Sequence, residues 1–120
     1  MATVFTQVGE ELITDYLDGS ASVPANWYVA WGTGAGAAAK GDTALTTEAS
    51  ESRVIGTASQ PAADQNQWVA TLTADGTKTI TEAGLFDAST VGNMMIRGDF
   101  TGIPLTLGDK IEFTVQLQHA

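Results

Sequence analysis

Ile111-Glu112-Phe113-Thr114-Val115-Gln116-Leu117-Gln118 alternates strictly between apolar and polar side chains. A period of two marks a strand with one buried face and one wet face. Antiparallel sheets accommodate such a strand, whereas all-parallel sheets are covered on both sides. Residues 67–74 show a similar pattern, with Trp68, Ala70 and Leu72 alternating against Gln67, Thr71 and Thr73. Asp75-Gly76 then gives the strongest hairpin signal in the chain, and residues 77–81 begin a return strand. Leu85-Phe86-Asp87 is a further apolar step before a loop at 88–92. Residues 94–100 read as another strand, after which Ile103-Pro104-Leu105 bends the chain.

Nearer the N-terminus, Trp27-Tyr28-Val29-Ala30-Trp31 is a dense run of strand formers ended by Gly32. Residues 32–42, rich in glycine and alanine, have loop composition. Residues 43–50 are ambiguous, 51–59 with Val54 and Ile55 form a weaker strand, and 60–67 is a polar loop. The connections are too short for repeated βαβ crossovers, which need a dozen or more residues each. The expected fold is therefore mainly β: an antiparallel β-sandwich or barrel-like domain with one N-terminal helix. That helix is predicted over residues 3–17, where Val4, Phe5, Val8, Leu12, Ile13 and Tyr16 recur at three- and four-residue spacing. Thr3 or Thr6 would cap it and Asp18-Gly19-Ser20 would stop it. Gly9 in its middle costs about 1 kcal/mol relative to alanine.

A chain of 120 residues suits a single domain, here a helical segment at 1–20 and a β domain at 24–120. With 43% hydrophobic and 16% charged residues it is expected to fold around a core of its own. There is no cysteine, and the single histidine is His119. Thiolate chemistry and His-pair zinc sites are thereby excluded, and a Ser-His-Asp triad is disfavoured. A net charge of −9 repels phosphate backbones and anionic lipid heads, so neither nucleic acid nor a membrane is an expected partner. The N-terminal residues lack the basic and apolar regions of a signal peptide, which predicts synthesis in a cytoplasm.

Enzyme-like motifs fail on their surroundings. Gly34-Ala35-Gly36-Ala37-Ala38-Ala39 fits G-x-G-x-x-A, but Lys40-Gly41-Asp42 breaks the helix that a dinucleotide site needs. The same residues lack the glycine before Lys40 and the hydroxyl after it that a P-loop requires. Acid pairs such as Glu48 with Glu51, or Asp87 with Asp99, read as solvated surface. Trp27, Trp31 and Trp68 read as core before they read as a sugar platform. The chain is expected to be no enzyme and to need no cofactor. Arg53 and Arg97, rare cations in an acidic chain, are expected to pair with acids within or between subunits. Phe5, Leu12 and Tyr16 on the helix stripe are candidate interface anchors. Leu85 and Phe86 would point to opposite faces of an extended segment, one filling the core and one meeting a partner.

Four ordered segments carry a resemblance. They are Trp31-Gly32-Thr33-Gly34; Asp42-Thr43-Ala44-Leu45 with Glu48 and Arg53; Thr79 through Thr81-Glu82-Ala83-Gly84-Leu85-Phe86-Asp87; and the terminal strand from Gly108 to Thr114. In this order the chain resembles small virion structural proteins of tailed bacteriophages, and also the N-terminal modules of some tail-collar and tail-fibre proteins. The resemblance implies a structural role in the virion and no active site. It implies, first, a capsid decoration (cement) protein that binds the major capsid protein from outside, as a trimer at three-fold lattice positions. The alternative is a tail, collar, baseplate or fibre-attachment component.

Overall fold

The computed structural model describes residues 2–119. Eight strands and one helix follow each other as β1 (Ala2–Phe5), α1 (Gln7–Asp18), β2 (Tyr28–Gly32), β3 (Val54–Ile55), β4 (Thr57–Ser59), β5 (Gln65–Thr73), β6 (Lys78–Phe86), β7 (Met94–Leu105) and β8 (Lys110–Gln118). They form two antiparallel sheets, a five-stranded one in the order β1-β7-β6-β2-β3 and a three-stranded one in the order β4-β5-β8. The two sheets pack face to face as a β-sandwich. Val29 and Trp31 of β2, Leu85 of β6 and Ile96 of β7 meet Trp68, Ala70 and Leu72 of β5 and Leu117 of β8 between the sheets. In β8, Ile111, Phe113, Val115 and Leu117 turn inward, and the polar residues between them are exposed, as the alternation predicts.

The residues between these inward-facing ones build a second, smaller cluster on the outer face of the five-stranded sheet. Ala30, Phe86 and Met94 meet Leu45 there, so the long segment between β2 and β3 forms a third layer. Leu85 and Phe86 do point to opposite faces, and both faces are covered.

Three expectations are corrected. The Asp75-Gly76 turn closes no hairpin, since β5 pairs with β4 and β8 while β6 pairs with β2 and β7. Gly76 lacks the positive φ that a two-residue type I′ turn needs, and the turn instead carries the chain from one sheet to the other. The β7–β8 connection crosses back beside it. The Ala74 amide bonds the Asp109 carbonyl at 2.7 Å and the Gly108 amide bonds the Ala74 carbonyl at 2.9 Å. The single strand expected across 51–59 is split at Gly56, where β3 and β4 join different sheets. A Cβ on Gly56 would lie 2.9 Å from that of Trp68. Finally, the helix starts later than its apolar spacing suggests. Residues 2–5 are a strand on the edge of β7, and Thr6 is the N-cap.

Thr6 is fully buried, and its hydroxyl accepts from the Gly9 amide at 3.0 Å while donating to the Met94 carbonyl at 2.7 Å. The cap thus fixes both the start of α1 and its seat on β7. Gly9 is there because of close approach: a Cβ would sit 2.7 Å from Met95 Cγ, the Met95 carbonyl oxygen and Phe5 Cε1. Gly9→Ala should therefore destabilise the protein by about 1–3 kcal/mol, although alanine is the better helix former. A thermal melt that rises in the variant would show that α1 has room to move off β7.

Candidate functional site

Glu82 lies in β6, in the middle of Thr81-Glu82-Ala83-Gly84, with its side chain on the outer face of the five-stranded sheet beneath the β2–β3 segment. It is 0% exposed. Its carboxylate accepts from the backbone amides of Gly34 at 2.9 Å, Thr46 at 2.8 Å and Thr47 at 2.9 Å. Arg97, in the neighbouring strand β7 and 2% exposed, donates to it through Nε at 3.3 Å and Nη2 at 3.0 Å. The remaining guanidinium donors go to Asp42 Oδ2 at 3.0 Å, the Gly36 carbonyl and Thr46 Oγ1. Thr81 Oγ1 donates to the Gly34 carbonyl at 2.6 Å, and Asp99 accepts from the Ala38 amide at 2.7 Å. Two ends of a loop without regular secondary structure are thus bound to one carboxylate.

Burial pushes the Glu82 carboxyl up. The Thr47 and Thr46 amides, Arg97 and the Gly34 amide outweigh it and hold the group below the usual carboxylate range. Gly32 and Gly34 are small for the same reason. A Cβ on Gly34 would meet Glu82 Oε2 and Thr46 Cβ at 2.5 Å, and one on Gly32 would meet the same carboxylate and the Thr47 carbonyl. No buried side-chain nitrogen or oxygen among the described residues lacks a partner. With its carboxylate and guanidinium bonded inside the subunit, the arrangement is a clamp on the β2–β3 segment.

Two further clusters extend it. Arg53 makes a bidentate pair with Glu48, both bonds at 2.9 Å, and donates from Nη1 to the carbonyls of Ala88 and Val91, both at 2.8 Å. Its guanidinium carbon lies 3.7 Å from the centroid of the Phe86 ring, and the side chain is only 5% exposed. The β6–β7 loop is thereby tied to the third layer, with Val91 at its tip held at φ 54° and 84% exposed. Arg53→Lys would keep the charge and lose the fork, the ring contact and at least one carbonyl. It should cost about 1.5–3 kcal/mol and speed amide exchange in residues 88–92. Unchanged exchange in that loop would show that Arg53 does not hold it. In the second cluster Glu51 accepts from Trp31 Nε1 and the Asp75 amide, both at 2.9 Å, and pairs with Lys78.

The residues read from sequence divide by burial. Leu85, Phe86 and Arg97 lie inside the subunit, and Arg53 is nearly enclosed, so their contacts are made within the chain. Both arginines have acids as partners, Arg53 with Glu48 and Arg97 with Glu82 and Asp42. Phe5, Leu12 and Tyr16 are half-buried against the core and keep part of their surface. Trp27, Trp31 and Trp68 are all core residues, with Trp27 and Trp68 rings 6.2 Å apart. Sequence reasoning misses Glu82 as a site residue. The signal is there: an acid flanked by strand formers, with apolar residues following on both faces, needs partners wherever the strand is covered on both sides.

Residues 4–118 match a family described as podophage GP4 fiber I protein gp80. The chain belongs to this family. Every segment that carried the phage resemblance contributes to the clamp or to its surroundings, apart from the terminal strand, which closes the core. Membership in the gp80 fibre family makes the chain a bacteriophage structural protein, with a virion-associated location. No curated protein matches the chain at a significant level. Among the described residues, no three His, Cys, Asp or Glu side chains gather as metal ligands, and no helix is long and apolar enough to cross a membrane.

Proposed function

We propose that this chain is a component of a phage tail fibre or of the fibre's attachment to the virion, acting as a rigid protein-binding module with no catalysis of its own. The observation that carries this reading is the match to the fibre I family over residues 4–118. The structure is consistent with it: the residues that carried the phage resemblance are spent on fixing loops to a sandwich, which suits a part that must hold shape under load. Small size and acidic charge fit a fibre component and a capsid decoration protein equally well. Binding to the major capsid protein, and the three-fold trimer that goes with it, belong to that second reading. Phe5, Leu12 and Tyr16 stay candidates for a contact through α1.

Copy number separates the two readings. Quantitative gels of purified virions should give the low count of a tail component, and labelled antibody should decorate the tail. Hundreds of copies per particle, with label spread over the capsid, would overturn the fibre reading in favour of cement.

A further inference from the structure

The sandwich is lopsided. Five strands on one side face three on the other, and β8 ends the smaller sheet. Between β8 and the β6–β7–β1 side lies a cleft of about 470 Å³. Leu85, Ile96, Phe100, Phe113 and Val115 line it, with Thr3 among the polar residues, and no charged residue takes part. Phe100, Phe113 and Val115 are only half-buried there.

The backbone of β8 can be sorted residue by residue. At one end the Ala74 amide bonds the Asp109 carbonyl, and at the other the His119 amide bonds the Asp64 carbonyl. The register between them is unbroken, so the odd-numbered residues of β8 bond β5. Lys110, Glu112, Thr114, Gln116 and Gln118 therefore aim their amides and carbonyls at the open edge, and their side chains are exposed. Natural sheets guard such an edge with proline, a bulge, brevity or charge. The other sheet ends are guarded by brevity, since β1 has four residues, β3 two and β4 three. The end of β7 beyond its pairing with β1 carries Pro104. β8 has nine residues, no proline and no bulge, and from Phe113 to Gln118 no charge.

We propose that the open edge of β8 is an interface for a second copy of this chain, paired antiparallel about a two-fold axis at Thr114. The choice of occupant follows from the sequence of the edge. In the register of longest overlap Thr114 faces Thr114 of the second copy, Glu112 faces Gln116 and Lys110 faces Gln118. Every outward amide and carbonyl is then paired, giving roughly ten backbone hydrogen bonds. No two like charges stand opposite one another. A slip of four residues, which moves the axis to Glu112, would set the two Glu112 carboxylates face to face, and any slip leaves outward amides and carbonyls unpaired, so overlap and charge together favour this register. The pairing extends the short sheet across the mouth of the cleft and covers Phe113 and Val115 in both copies. It holds whether the protein sits on the tail or on the capsid.

The test is sedimentation equilibrium of the purified full chain across a dilution series. The wild type should be a dimer that dissociates on dilution. Thr114→Pro removes the central outward amide without touching a β5 bond, and should give a folded monomer. Gln116→Glu sets a carboxylate opposite Glu112 at two symmetric places and should weaken the dimer about fivefold, while Gln116→Lys should tighten it. A wild type that is monomeric at every concentration, an assembly without a two-fold, or a dimer indifferent to Thr114→Pro and to the sign of the charge at 116 would overturn the proposal.

Discussion

Glu82→Ala should lower the unfolding free energy by about 3–5 kcal/mol and the melting temperature by on the order of 12–20 °C. The change takes from the amides of Gly34, Thr46 and Thr47, and from the buried Arg97 guanidinium, the fully buried carboxylate they share. Each buried donor left unpaired carries its own desolvation penalty. Arg97→Met should cost less, because the Glu82 carboxylate keeps its three amides when the guanidinium goes. If the arginine change proved the more damaging, ion pairing would contribute more to the clamp than the amide cradle does.

The same group sets an acid limit. The folded-state pKa of Glu82 is depressed, so its carboxylate contributes stability above the unfolded value of about 4.3 and loses it as pH falls through the folded value. The stability gap between wild type and Glu82→Gln should hold from neutral pH to about pH 5 and narrow only below the usual carboxylate range. A gap that widens on acidification would contradict an ionised Glu82.

Trp31→Ala is the other large effect, at about 3–5 kcal/mol. The indole is 1% exposed between the sheets, stands edge-on to Phe113 at 6.2 Å and donates to Glu51. Removing it opens a cavity between β2 and β8 and takes one donor from the Glu51 cluster. Trp31→Phe should recover most of the loss, since Glu51 keeps Lys78 and the Asp75 amide. Chemical denaturation of both variants measures the split. Equal losses in the two would mean that the indole's hydrogen bond outweighs its volume.

The alternation in β8 and the β-former run in β2 are legible in the sequence because each strand is apolar toward the core and its period is two. The third layer is not. Its residues 32–42 have loop composition and 43–50 are ambiguous, and nothing local shows that the amides of Gly34, Thr46 and Thr47 converge on a carboxylate 35 to 48 positions away. The hairpin expected at Asp75-Gly76 fails for a related reason. A turn dipeptide reports that the chain reverses, and not which sheet the next strand joins. The N-terminal strand reads as helix because Val4 and Phe5 continue the apolar spacing of α1. Only the burial of Thr6 against the Met94 carbonyl marks the boundary. The interface anchors are harder still, since burial inside the subunit and burial against a partner ask for the same residue types. Leu85 and Phe86 satisfy that demand within the chain.

Glu82 converts residues 33–47 from a loop into a fixed layer of the fold, and on this the role of the clamp rests. Native-state hydrogen exchange at the amides of Gly34, Thr46 and Thr47 tests it most directly. They should exchange only on global unfolding, as slowly as the core of β6, and should lose that protection in Glu82→Gln. Exchange in the wild type as fast as at Gly41, in the same segment but outside the clamp, would contradict such a role.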